Sequence, residues 1–312
     1  MQFWPRKKAK RIYARVHSYP ASNEAKLLGF AGYKVGMIHS IIVDNKKTTL
    51  TKGTEISCPL TVIECPPLKI ASIKFYKKTI SGLKLVSEIL AEKHDKELER
   101  KLNVPKKITK KVEDIKDYDD IRLLVYTQPK LTGIGKKKPE VFEIHLGGKK
   151  EDKLKYAQEK LGKEVKIDEI FKEGNQLDIH AITKGKGFQG PVKRFGISLR
   201  SHKSEKSIRN PGSLGGWKAQ GHVMYRVAHA GQMGFHERTE KNKWILKISS
   251  DPSQVNPKSG FKNYGLVKSQ YILVKGSIQG PKKRIIRFNN SFRPSRKLPS
   301  EPPRITVISS IE

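Results

Sequence analysis

Only two cysteines occur among the 312 residues, Cys58 and Cys65, which flank PLTVIE. They match neither a disulfide framework nor a CxxC ligand pair, so a reducing cytoplasm is the expected compartment. No apolar run approaches the roughly 18 residues of a membrane-crossing helix. The start MQFWPRKKAKRIYARVHSYP has no apolar stretch of signal-peptide length. A soluble intracellular chain without a membrane partner is expected. Hydrophobic residues make up 36% of the chain, below the roughly 45–50% of ordinary globular proteins, so a packed core is expected over only part of the length. Negative charge is the scarcest commodity. No carboxylate lies between Met1 and Ser22 or between Pro252 and Ser300, and only Glu205 and Glu237 lie between Thr183 and Thr239.

Against these absences stand 64 Lys and Arg residues and 30 Asp and Glu, a net charge of +34. Self-repulsion of that size opposes a compact state unless an anionic partner neutralises it. RNA or DNA leads as that partner, with an acidic membrane surface second. The arm 1–22 carries Arg6, Lys7, Lys8, Lys10, Arg11 and Arg15. Low hydrophobicity and a single charge sign predict that it stays extended until an anion orders it. Trp4, Tyr13 and Tyr19 punctuate it as candidate stacking faces.

Several segments read as β-strands. LLGFAGYKVGMIHSIIVD is apolar and β-branched, with glycines suited to bends or close approach in a curved sheet. PLTVIECPP, IASIKFYKK, DIRLLVYTQP, VFEIHLGG, NKWILKI, QYILVKGSIQG and RITVISSIE have strand character as well. LVSEILAEKHDKELERKLNV (Leu85–Val104) predicts an amphipathic helix from the spacing of Val86, Ile89, Leu90, Leu98 and Leu102. EDKLKYAQEKLGKEV predicts a second, with Glu151 and Asp152 suited to its first turn. Most carboxylates sit between Glu88 and Asp178, as expected of an α/β insertion facing water.

From Thr183 to Thr239 the pattern changes. Eleven cations and ten glycines occur with no sustained period of two or 3.6. So long a structureless stretch within a domain points to a functional extension, here a finger surrounded by nucleic acid. Gly185, Gly187 and Gly190 match the GxGxxG spacing of a dinucleotide loop, and LDIHAI supplies a strand before it. VKRFGISLRSHKSEK lacks the apolar stripe of the helix that must follow, and parallel strands are missing downstream. A nicotinamide-type cofactor is therefore disfavoured, and no cofactor or small-molecule substrate is expected. Glycines in this setting let main chain approach phosphates closely, lysines add point charge and arginines bind phosphate through a fork. Phe188, Phe195, Trp217 and Tyr225 offer faces for unpaired bases or anchors for the finger's own base. His222, His229 and His236 recur every seven residues, but no cysteine accompanies them, and RNA contacts or packed turns fit better than a metal. No nucleophile, base or carboxylate pair stands in a pocket-like context, so an enzyme is not expected.

Five motifs in order, GFAGYKVGMIH, TVIECPPL, TKGKGFQGPVKRFG, AGQMGFHERTEKNK and ILVKGSIQGPKKRIIRF, together resemble the L-three family of large-subunit ribosomal proteins in its archaeal form. The resemblance covers nearly the whole chain. It implies a mixed, mainly β fold: a six-stranded β-barrel of the translation-protein type with an α/β insertion and long basic extensions, including a central finger loop. The organisation it implies is an arm over 1–22, the first part of the barrel over 23–80 and the insertion plus barrel strands over 81–178. The finger then covers 179–240, and the remaining barrel strands with a basic segment cover 241–312. It also implies an early-assembling structural constituent of the 50S subunit in the cytoplasm, whose partners are 23S-type rRNA and neighbouring ribosomal proteins. The finger would approach the peptidyl transferase centre, with Thr183–Gly196 outgoing, Pro211–Tyr225 as tip and Ala230–Arg238 returning. Eukaryotic members differ at Tyr225 and Lys218, so modification of the tip does not carry over. A free-standing RNA chaperone is the alternative from another class.

The expected rRNA-binding residues are the six arm cations above and, in the finger, Lys184, Lys186, Gly187, Lys193, Arg194, Arg200, Lys203, Arg209, Trp217, Lys218, His222, Tyr225, Arg226, Gln232 and Arg238. Nearer the C-terminus they are Lys282, Lys283, Arg284, Arg287, Arg293, Arg296 and Lys297.

Overall fold

The structure, a computed structural model, describes residues 3–105, 112, 115 and 117–309. The first two residues of the expected arm, most of 106–116 in the expected insertion and the last three of RITVISSIE lie outside the described residues. The chain divides into two compact units. One comprises residues 13–181 and 239–312, the other residues 1–12 and 182–238.

The larger unit is mainly β. Strands β1 (Gly29–Val43), β2 (Glu55–Glu64), β3 (Leu68–Thr79), β4 (Gly82–Leu90), β5 (Asp120–Tyr126), β6 (Val141–His145), β7 (Glu164–Val165) and β8 (Gln176–Ile182) come first. The smaller unit interrupts with β9 (Phe188–Gln189) and β10 (Gly231–Gln232), and β11 (Glu237–Ser249), β12 (Tyr271–Lys275), β13 (Ile285–Asn290) and β14 (Ile305–Ser309) follow. In the principal sheet the order is β13-β8-β11-β12-β2-β1-β14, and β1 also pairs with β13. Strands β2, β8, β11, β12 and β13 thus each have two hydrogen-bonded neighbours, and β1 has three, β2, β13 and β14. Gly32 in β1 faces β2 so closely that a Cβ would lie 2.7 Å from the Glu64 carbonyl and the Cys65 sulfur. Only glycine fits there, which explains one of the glycines in an otherwise apolar strand.

A second antiparallel sheet has the order β4-β3-β5-β6, with β7 on β3. The helix expected over Leu85–Val104 is not formed. Its first part is β4, paired with β3 through a turn at Ile80–Ser81, and only Lys96–Glu99 forms a helical turn, α1. The spacing of Val86, Ile89 and Leu90 fits a helical stripe, but pairing with β3 overrides it. The adjacent edge of β3 and the β-branched side chains favour the strand. The second helix is present as α2 (Lys150–Lys160), with Glu151 and Asp152 in its first turn. Buried Phe30, Tyr33, Val62, Phe171, Tyr271 and Phe288 share a core with Phe75 and Ile144 of the second sheet.

Arg287 departs most from expectation. It lies within β13 and is only 5% exposed. Its guanidinium donates to the carbonyls of Ala14 (3.1 Å) and Glu143 (2.9 Å) and to the Tyr19 hydroxyl (2.9 Å), and it covers the Phe142 ring at 4.3 Å. It ties residues 14–19 to both sheets and does not face an external phosphate. Tyr13 packs on Phe142 and Tyr19 stacks on His145, so the second half of the arm rests on the protein itself. The expectation that these rings wait for bases is corrected: their faces are already covered. His145 is held neutral, its pKa pushed down to about 4 by burial and by nearby Arg122.

A buried carboxylate fixes the loop before β12. Glu64, 0% exposed, accepts the backbone N–H groups of Lys268 and Ser269, both at 2.8 Å, and the Tyr264 hydroxyl. Glu64→Ala is expected to lower stability by about 2–3 kcal/mol, because a buried hydroxyl and two part-buried backbone donors lose their acceptor. Glu64→Gln keeps a carbonyl acceptor and is expected to lose clearly less. Urea unfolding midpoints measure both, and equal losses would contradict the assignment.

Candidate nucleic-acid interface

The smaller unit has almost no interior. Between residues 183 and 238 only Gly234 and His236 are buried. Its order comes from backbone pairing and from cations used as hydrogen-bond donors. β9 pairs antiparallel with β10, extended by Lys186 N–H to the Met233 carbonyl and Met233 N–H to the Gly187 carbonyl, each 2.9 Å. Thr183 N–H donates to the His236 carbonyl at 2.9 Å. The outgoing and returning limbs are therefore brought together. Gly234, at φ +72°, passes so close to the Lys184 carbonyl that a Cβ would lie 2.0 Å from its oxygen. No other residue fits this crossing.

Between the limbs, α3 (Pro191–Phe195) opens on proline and ends at Gly196. It presents Arg194, which donates through Nε to the Gln232 carbonyl (3.0 Å), through Nη1 to that of His229 (2.8 Å) and through Nη2 to that of Arg6 (3.4 Å). Arg6 Nη1 in turn donates to the Arg194 carbonyl. The fork expected to grip phosphate is instead the tie between three stretches of main chain. Burial and the neighbouring Arg6 push the Arg194 pKa below its ordinary value.

The first residues of the arm are built into this base. Trp4 stacks on Phe195 with centroids 5.6 Å apart and meets Tyr225 edge-on at 5.9 Å, and Arg6 covers Phe195 at 4.4 Å. Ala9 N–H donates to the Phe235 carbonyl at 2.8 Å. His236 Nδ1 donates to the Lys7 carbonyl at 2.9 Å. Burial, then the cations Arg238, Arg6 and Arg194, push the His236 pKa down, which keeps the ring a neutral donor. Arg238 donates to the Glu237 carbonyl at 2.9 Å and covers Phe3 at 4.5 Å. Gln232 turns onto the Gly234 carbonyl at 2.9 Å. The sequence pattern does not mark Phe235 or His236 as partners of the arm, or Phe3 as a partner of Arg238, since no period links residues so far apart.

The remaining finger residues face outward. Lys184, Lys186, Gly187, Lys193, Arg200, Lys203, Arg209, Lys218, His222 and Arg226 are exposed. So are the rings of Phe188, Trp217 and Tyr225, the first and last more than 70% accessible. Of the arm cations, Lys7, Lys8, Lys10, Arg11 and Arg15 are exposed and Arg6 is partly covered. In the larger unit, Lys282, Lys283 and Arg284 form a turn held against β1. Lys283 N–H donates to the Lys34 carbonyl at 2.8 Å, and Lys34 Nζ donates to the Gly280 carbonyl at 3.0 Å. Arg293, Arg296 and Lys297 lie exposed after β13, where Gln176 exchanges two 2.8 Å hydrogen bonds with the Ser295 backbone.

The glycine loop does not carry a dinucleotide site. β8 before it belongs to a sheet whose described pairings are antiparallel, and α3 after it spans five residues. A dinucleotide fold requires parallel strands and a full helix directed at the pyrophosphate. Among the described residues no group of three His, Cys, Asp or Glu side chains is placed to hold a metal ion.

Arg194→Lys keeps the charge and loses the fork. It is expected to open the limb pairing by roughly 1–2 kcal/mol, read as faster amide exchange at Lys186 and Met233. Unchanged exchange at those amides would show that the fork does not join the limbs.

The family model described as "Ribosomal protein L3" matches residues 1–306. The chain is 45% identical over 304 residues to the "Large ribosomal subunit protein uL3" of Archaeoglobus fulgidus, covering 95% of this chain and 91% of that protein. It is 46% identical to the protein of the same name from Methanobrevibacter smithii, over 99% and 94% of the two chains. The Methanocaldococcus jannaschii protein is 43% identical over 99% and 95%. The chain belongs to the ribosomal protein L3 family.

Proposed function

We propose that the protein is a structural constituent of the large ribosomal subunit, binding its rRNA and assembling with it early. The observation that carries this reading is a finger whose residues 183–238 bury only Gly234 and His236 while exposing cations and three aromatic rings. A ribbon without an interior gains its surroundings from a polyanion, and flat exposed rings match unstacked bases. We take the ring of strand pairings as the six-stranded barrel that anchors the chain on the subunit. The arm cations, the finger and Lys282–Lys297 then neutralise phosphates, which lets rRNA segments approach one another. By family resemblance the tip is directed at the peptidyl transferase centre, and neighbouring ribosomal proteins contact the second sheet.

Every neutralised phosphate releases counterions. Affinity for large-subunit rRNA is expected to fall by about 0.7–0.9 log unit per log unit of salt for each such contact. Lys203→Gln and Arg209→Gln are each expected to lower that slope by about one. A filter-binding series across salt concentrations measures both. An affinity indifferent to salt contradicts the reading, and a chain washed off subunits in a high-salt gradient would indicate a transient RNA chaperone.

A further inference from the structure

The larger unit carries a cleft of about 410 Å³ on the outside of its principal sheet. Its floor spans three adjacent strands. His180 of β8 bridges Asn289 Oδ1 of β13 (Nε2, 2.7 Å) and Thr239 Oγ1 of β11 (Nδ1, 2.9 Å). Asn289 uses its amide nitrogen to donate to the Asn290 carbonyl, so its oxygen is the acceptor facing His180. Burial lowers the His180 pKa, so the ring stays neutral, donates through Nε2 and accepts from the Thr239 hydroxyl at Nδ1, which makes the floor neutral and polar.

The walls have a different character. Asp178, 4% exposed, accepts the backbone N–H of Phe292 at 3.1 Å and that of Asn242 at 3.0 Å. These bonds occupy its two oxygens and hold the Phe292–Arg293 corner in place. Phe292 is 53% exposed beside the cleft, an unusual position for a phenylalanine fixed by its own backbone. His17, Ser18, Lys241 and Arg293 complete the lining, so two cations face one carboxylate that already accepts two backbone N–H groups.

A flat aromatic wall, two cations and a neutral hydrogen-bonding floor match one ligand class. We propose that this cleft receives a single nucleotide splayed out of an RNA strand, its base on Phe292 and its phosphate at Lys241 and Arg293. The volume suits a ligand of this size, small-molecule sites occupying about 300–1,000 Å³. Single-stranded RNA is commonly read by stacking extruded bases on aromatic side chains. An acidic protein side chain would satisfy the cations and leave the ring of Phe292 in water, so RNA is the better occupant. The inference rests on the rRNA-binding reading and adds a defined contact outside the finger.

The test uses the full chain bound to large-subunit rRNA across a salt series, with ultraviolet crosslinking and mass spectrometry of the adducts. Phe292→Leu is expected to weaken binding roughly 5- to 100-fold without changing the salt slope, because stacking involves no counterion release. Phe292→Tyr is expected to restore affinity, which separates stacking from folding. Lys241→Gln is expected to lower the slope by about one. Wild-type adducts are expected to join Phe292 to one nucleotide. Wild-type affinity in Phe292→Leu, with no adduct at Phe292, overturns the proposal while leaving the salt-dependent reading intact. A wild-type slope near zero instead overturns the rRNA reading itself. Loss of a neighbouring ribosomal protein from subunits carrying Phe292→Leu, with rRNA affinity unchanged, would also overturn the assignment of the cleft to a nucleotide.

Discussion

Electrostatic repulsion among cations that have no carboxylates to answer them is the constraint on which the rest of this molecule depends. The finger carries eleven Lys and Arg residues against Glu205 and Glu237. Hydrophobic burial cannot offset that repulsion, because the finger has almost nothing to bury. The protein meets the problem in two places and in two ways. At the base of the finger, arginines act as hydrogen-bond donors to main chain, and an Arg–carbonyl bond is favourable without any anion. Beyond the base, side chains simply point into solvent, where only an external polyanion removes the repulsion.

The contrast between Arg194, Arg287 and their neighbours shows that basic residues in one chain serve opposite ends. Arg287 and Arg194 each satisfy three oxygen acceptors of the protein and lie against an aromatic ring. Arg200, Arg209, Arg293 and Arg296 are exposed. Positive charge is thus both the adhesive of the coreless parts and the surface offered to the partner. Glu64 plays the complementary part in β2, a buried carboxylate that gathers loop donors around itself.

Much of the architecture was legible because strands of a half-buried sheet declare themselves by alternation and β-branching. β1, β2, β3, β5, β6, β11 and β12 fall where those patterns stand, and α2 where its acidic first turn stands. β4 carries the helical spacing of Val86, Ile89 and Leu90, and its pairing with β3, which no local pattern shows, overrides that spacing. The exposed cations of the finger were legible as a surface. The internal roles of Arg194 and Arg287 were not, since a guanidinium's acceptors are backbone carbonyls that have no sequence signature. For Arg287 a hint existed: it interrupts an apolar run, Ile285–Ile286 and Phe288, as a buried strand residue does. The packing of Trp4, Tyr13 and Tyr19 on other side chains of the protein leaves no periodic trace in the sequence.

The central claim is that the finger's base is held by its own bonds, whereas its distal part takes shape from the polyanion around it. Amide hydrogen exchange of the purified chain, with and without large-subunit rRNA, tests this most directly. The account predicts slow exchange at Thr183, Lys186 and Met233 in the free chain, near-open exchange from Ser198 to Ala228, and strong protection of that distal stretch once rRNA is bound. A distal stretch already protected in the absence of nucleic acid would contradict it.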